Sequence, residues 1–171
     1  MTIFFIADLH FFNENIITYC NRPFKTIEEM NEILIFNWNS VVKRGDIIYV
    51  LGDFALTWNK NVNKVEKLLN TLNGQKFLIY GNHDRQAVKR AKGWNWQGDY
   101  KSIKIEGQKI ILFHYSIRNW HHKEKGSWHL YGHSHGNTTP YGKSFDIGVD
   151  CWNFFPVSFE QVKETMETLS N

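Results

Sequence analysis

The chain has 171 residues, 42% hydrophobic and 22% charged, which excludes a disordered segment and suits one domain, 1–171, with its own core. A net charge of +3, carried by scattered Lys and Arg, excludes a nucleic-acid-coating protein while favouring an anionic substrate. Cys20 and Cys151 are the only thiols, which excludes a disulfide framework or thiolate zinc site and fits a reducing, cytoplasmic setting.

The chain opens on an apolar run, Ile3 to Ala7, which predicts a strand buried on both faces. It lacks a basic start and runs straight into Asp8, so it is no signal peptide, and no stretch approaches membrane-spanning length. Thr26-Ile27-Glu28-Glu29 reads as a capping box. It opens a helix with Met30, Ile33, Leu34, Trp38 and Val41 on one face. A strand follows at Ile47 to Leu51, then a helix with Val62, Val65, Leu68, Leu69 and Leu72 inward and Gly74 as its stop. The next strand spans 76–80. Ser102 to Ile105 and Lys109 to Phe113 flank Glu106-Gly107-Gln108 as a hairpin. Short strands at Trp128 to Tyr131 and Phe145 to Val149 and a helix from Ser158 to Leu169 complete the chain. The first half is βαβαβ-like and the second mostly hairpins, which predicts an α/β fold of two mixed sheets with helices outside.

Polar clusters end five of these strands: Asp8-Leu9-His10, Gly52-Asp53, Gly81-Asn82-His83-Asp84, His114 and Gly132-His133-Ser134-His135. Strand ends are where α/β folds place ligand crevices. Each cluster offers carboxylate, imidazole or amide donors and none offers sulfur. In Asp8/His10 and His133/His135 the two-residue spacing puts both side chains on one face of extended backbone. Glycines before three clusters allow sharp turns. Asp8, His10, Asp53, Asn82, His114, His133 and His135 are more donors than one such cation takes, so two cations sharing Asp53 are expected.

The order Asp-x-His, Gly-Asp, Gly-Asn-His-Asp, lone His, Gly-His-x-His resembles the calcineurin-like metallophosphoesterase superfamily. The match runs from Asp8 to His135, and "NRPF" and "LYGHSHG" look closest to small single-domain bacterial and phage members. The resemblance implies a four-layer α/β/β/α sandwich of two mixed sheets flanked by helices, and two divalent transition-metal ions. These are Mn, Fe, Zn or Ni, with manganese favoured. It implies Asp8, His10, Asp53 and His135 around one ion, and Asp53, Asn82, His114 and His133 around the other. It also implies that His83 faces the substrate with Asp84 steadying it, Asn82 and His83 being the substrate-side pair. The implied activity is phosphoester hydrolysis by a dimetal-bridging hydroxide, phosphodiesters favoured. The alternatives are a protein-interaction scaffold on the same fold, a phosphomonoesterase or a protein phosphatase. The resemblance departs at Phe11-Phe12-Asn13, where many such proteins carry another His, and at Tyr115-Ser116, where Pro often follows the Tyr.

Residues 85–100 and 116–128 hold Arg85, Lys89, Arg90, Trp94 and Trp96, then Arg118, Trp120, Lys123 and Trp128. Cation with aromatic ring suits a nucleotide or a nucleic-acid end. Alternatively the tryptophans pack and the cations are solvated. Arg118 is the expected substrate-phosphate contact. No membrane and no obligate protein partner are expected.

Overall fold

A strand whose side chains alternate between two apolar surroundings needs cover on both sides, and β1 (Ile3–Ile6) has it. In this computed structural model, which describes residues 1–57 and 61–170, Phe4 and Ile6 point to one buried cluster, Phe5 and Ala7 to another. The first cluster joins β1, β2 (Ile47–Leu51) and β3 (Gln75–Ile79) to helices α2 (Ile27–Val41), α3 (Val62–Thr71) and α4 (Gln86–Arg90). The short α1 (Asn15–Tyr19) joins this cluster through Ile16.

The second cluster lies between two sheets. One sheet has the order β4-β3-β2-β1-β9, with β4 at Trp96–Gly98 and β9 at Val157–Ser158. All its pairs are parallel except β1 with β9. The other has the order β5-β6-β7-β8, from Tyr100–Ile105, Gln108–Phe113, Trp128–Tyr131 and Ser144–Asp146. Helix α5 (Phe159–Thr168) buries Phe159, Val162 and Met166 in the cluster between the sheets. Two mixed sheets flanked by helices are as expected.

Three local differences have physical reasons. The second half contains one hairpin, β5–β6, with β6–β7 and β7–β8 parallel. Residues 114–127 and 132–143 supply connections of about a dozen residues or more, the length a parallel crossover needs. Next, β8 stops at Asp146 instead of reaching Val149. The Asp146 carboxylate accepts from Gly148 N at 2.7 Å, turning the chain so that Val149 N donates to Ala7 O at 3.0 Å. This stitch joins the two sheets at the ligand end. Finally, the Thr26 hydroxyl caps Glu29 N as predicted, but the Glu29 carboxylate reaches back to Lys25 N, one residue before the cap.

The predicted rim tryptophans are packed. Trp94 sits edge-on to Phe54 at 5.0 Å, and Trp96 and Trp128 join the core between the sheets. Trp120 is buried beside His129, on the face of the second sheet away from that core.

Candidate metal centre

Strands β1, β2, β3, β6 and β7 run so that their C-terminal ends meet at one edge of the sandwich. Beyond those ends the loops stay zipped together: Asp8 N donates to Gly52 O at 3.0 Å, His10 N to Asp53 O at 2.8 Å, and Gly132 N to His114 O at 2.9 Å. The polar clusters separated in sequence therefore share one crevice.

Asp8, His10 and His135 bring one donor atom each within 4.8 Å of one another, and Asp53, His114 and His133 do the same. Asp53 lies between the two triplets. Its Oδ2 is 3.5 Å from His10 Nε2 and 3.5 Å from His114 Nε2. Its Oδ1 accepts from His83 N at 2.8 Å. Asn82 Oδ1 lies 3.0 Å from His114 Nε2. All seven predicted donors are thus in or against the two triplets. Arg118 is not: its guanidinium lies 4.9 Å over the Tyr141 ring, outside both triplets and outside the cavity beside them.

The backbone reaches this arrangement by a route the spacing does not indicate. Asp8, His10, Asp53, His133 and His135 have positive φ, from 47° to 67°. That is left-handed backbone, not the extended form, and such residues concentrate where surroundings hold them for a purpose. Asp8 and His10 converge on one triplet, while His133 and His135 fall into different ones. Gly52 has φ 89°, so it serves as a turn, as predicted. Gly81 has no positive φ; it is needed for room, since a Cβ there would stand 2.2 Å from Asp53 Oδ1.

Buried carboxylates pin these loops. Asp84 Oδ2 accepts from Asp53 N and Gly81 N, each at 2.9 Å, and Oδ1 accepts from Phe54 N at 2.9 Å. These bonds go to backbone, none to the His83 ring, which corrects the expectation that Asp84 steadies that ring. Its carboxylate clasps the 52–54 and 81–84 loops and so fixes His83 only through the backbone. Asp146 does similar work, accepting from Ser134 Oγ and Gly136 N around His135. Asp8 is itself a clasp as well as a donor, because its carboxylate accepts from His133 N at 2.8 Å.

The electrostatics show what the crevice is suited to hold. Burial pushes the Asp8 carboxyl up to about 7 and the His10 imidazole down to about 3, so both lean neutral. His10 Nε2 is buried without a hydrogen-bond partner. At His114, Nδ1 faces Leu51 O at 2.8 Å and must donate there. Its Nε2 then points its lone pair at two oxygens, Asp53 Oδ2 and Asn82 Oδ1, a repulsive arrangement unless a proton or a cation lies between. Burial lowers the His114 pKa, but Asp53 overcomes it and lifts the group to about 9. A metal ion held between Nε2 and these oxygens would relieve the same repulsion. The seven predicted donors, carboxylate, amide and imidazole, fit a divalent transition metal. The Cys20 thiol also gathers with His135 and Asp150, but burial pushes it up to about 11, which disfavours the thiolate.

Residues 1–133 match the calcineurin-like phosphoesterase family. The chain belongs to that family. An uncharacterized protein of Methanocaldococcus jannaschii is 38% identical over 172 residues, covering 96% of this chain and 91% of its own length. A mycobacteriophage gene 66 protein is 24% identical, covering 77% of this chain and 80% of its own. A crystal structure of a protein of unknown function from Aquifex aeolicus superposes with a TM-score of 0.77, at 23% identity over 96% of this chain and 98% of that one, a likeness of fold. Membership in the calcineurin-like phosphoesterases implies metal-dependent hydrolysis of phosphoesters and divalent ions. The substrate it implies is a small molecule or a nucleic acid. No described helix is long and apolar enough to cross a membrane.

Beside Asp146, two more residues of the centre went unread in the sequence. Arg22, in the "NRPF" stretch, and Asp150 meet beside His135. Asp150 carried only a faint signal, since it follows the alternating Phe145-Asp146-Ile147-Gly148-Val149 rather than an unbroken apolar run.

Proposed function

We propose that this calcineurin-like phosphoesterase is a dinuclear hydrolase of phosphodiesters. Asp8, His10, Asp53 and His135 would hold one divalent cation, and Asp53, Asn82, His114 and His133 the other. The observation that carries this reading is a single oxygen, Asp53 Oδ2, facing a nitrogen of each triplet at 3.5 Å. Two cations bound there would supply water activated near neutral pH and positive charge for the phosphoryl oxygens.

The protein's own groups do the rest. Asn82 is exposed at the mouth of the crevice, where it can meet both cation and substrate. The His83 ring lies 5.2 Å from that of His10, and both line a cavity of about 390 Å³ with Asn13, Tyr19, His135 and Asn137. His83 is therefore the group to donate a proton to the leaving oxygen. Asp84 positions it indirectly, by holding the 81–84 loop.

No Lys or Arg lines the cavity among the described residues. That suits a singly charged diester better than a monoester dianion, whose second charge would have only the two cations to meet it. Nucleotide-like esters are the first class to test, and manganese the first ion. Free Cys20 and Cys151 support a reducing, cytoplasmic setting.

The test is hydrolysis of bis(p-nitrophenyl) phosphate, p-nitrophenyl phosphate and 2′,3′-cyclic nucleotides with Mn²⁺, Ni²⁺ or Zn²⁺. Diesters are expected to give kcat/KM at least about tenfold above the monoester, a difference of about 1.4 kcal/mol. A monoester preference would overturn the diester assignment. Silence across the panel would favour a binding scaffold on the same fold.

A further inference from the structure

Arg22 is a buried cation whose whole guanidinium is engaged. Nε and Nη2 donate to Asp150 Oδ1 and Oδ2, each at 2.8 Å. Nη2 also donates to Asp8 O at 2.7 Å and Nη1 to Leu9 O at 3.1 Å. The side chain is fully buried, with the Phe154 ring 5.7 Å from its carbon centre. Asp150 Oδ2 is shared, because it also accepts from His135 Nδ1 at 2.7 Å.

A buried ion pair is a weak source of stability, since desolvation cancels much of its attraction. This pair lies where it ties two distant segments, Asp8 to His10 and His135, into one triplet. We propose that Arg22 and Asp150 are positioning residues that make the Asp8/His10/His135 position the tighter of two unequal cation positions. The inference rests on reading both triplets as cation sites.

The inequality follows from what stands behind each imidazole. Asp150 can only accept, so His135 Nδ1 carries the hydrogen and Nε2 keeps its lone pair for a metal. A carboxylate behind a ligating imidazole strengthens it as a donor and fixes its orientation. Among the described residues no other imidazole of the two triplets has a carboxylate behind it: His10 Nδ1 faces the Asn13 amide at 3.4 Å. His114 is backed by a neutral carbonyl, Leu51 O, and His133 is an exposed ring whose described neighbours are the Tyr115 and His114 rings. Arg22 adds a second constraint through the carbonyls of Asp8 and Leu9, holding the left-handed turn that presents Asp8 and His10.

The experiment is calorimetric titration of the metal-free full chain with Mn²⁺, alongside Asp150→Asn and Arg22→Lys, with thermal melts to establish folding. The unaltered chain should bind two ions with distinct affinities. Asp150→Asn should weaken the tighter one about 10–100-fold and leave the weaker within about twofold, so that the two converge. Arg22→Lys keeps the charge but loses the fork, and should weaken the same ion by less; it also carries the test if Asp150→Asn does not fold. In the zinc-loaded protein, nitrogen-15 NMR should show His135 with hydrogen on Nδ1 and metal on Nε2, and the bond-shifted Nδ1–H signal should move in Asp150→Asn.

Equal weakening of both ions, or unchanged affinities, would overturn this inference while leaving the dinuclear reading in place. An unaltered chain that takes up no pair of ions would overturn both. If it binds two unequal ions and responds as stated but hydrolyses nothing, the positioning role stands and the phosphoesterase reading fails.

Discussion

Asp53→Ala protein, incubated with excess Mn²⁺ and then dialysed, should retain less than one ion per chain and lose diester hydrolysis by about a thousandfold or more. The size of the effect comes from the position of one oxygen. Asp53 Oδ2 stands 3.5 Å from a nitrogen of His10 and 3.5 Å from a nitrogen of His114, so its removal empties both coordination spheres at once. Removing His135 or His133, by contrast, touches one triplet each. The loss should not be a folding defect, because the 52–54 loop gives up only the Oδ1 contact with His83 N, while Asp53 N and Phe54 N still donate to Asp84 and Asp53 O still accepts from His10 N. Inductively coupled plasma measurement of bound metal, with a circular dichroism melt, separates the two causes. Two ions in the folded variant would contradict the bridging assignment.

His83→Ala should behave in the opposite way toward metal. Its ring lines the cavity but belongs to neither triplet, and the contact it makes with Asp53 is through its backbone N, which alanine retains. Two ions should therefore stay bound while kcat falls about 10²–10⁴-fold on esters with a poor leaving group. A p-nitrophenolate leaving group needs little protonation, so the loss there should be at least about tenfold smaller. That difference between substrates is the signature of a proton donor, and equal losses on both would remove that role from His83. Falling metal content would show instead that the ring is a ligand.

The donors were readable because each motif breaks a simple pattern, an apolar strand followed abruptly by Asp, Asn or His. Strand ends are local, and so is the signal. The clasps are not local. Arg22 and Asp150 are brought together by the fold, and only the three-dimensional path of β8 toward Ala7 shows why the carboxylate stands behind His135. The backbone at the donors was misread for a related reason. A spacing of two residues looks like a strand, yet Asp8 and His10 take left-handed φ under constraints from Gly52 and Asp53, which are far away in the chain. Asp84 shows how far a motif reaches. Its neighbourhood in sequence joins it to His83, while its hydrogen bonds join it to the 52–54 loop. The tryptophans were ambiguous because an aromatic residue in a loop can face water or turn inward, and packing against Phe54 and the core between the sheets decided it.

Anomalous X-ray scattering from a crystal grown with Mn²⁺ examines the dinuclear centre most directly. Two peaks about 3.5–4 Å apart are expected, one against Asp8, His10 and His135, the other against Asn82, His114 and His133, with Asp53 between them. A single peak, or two that do not share Asp53, would contradict it.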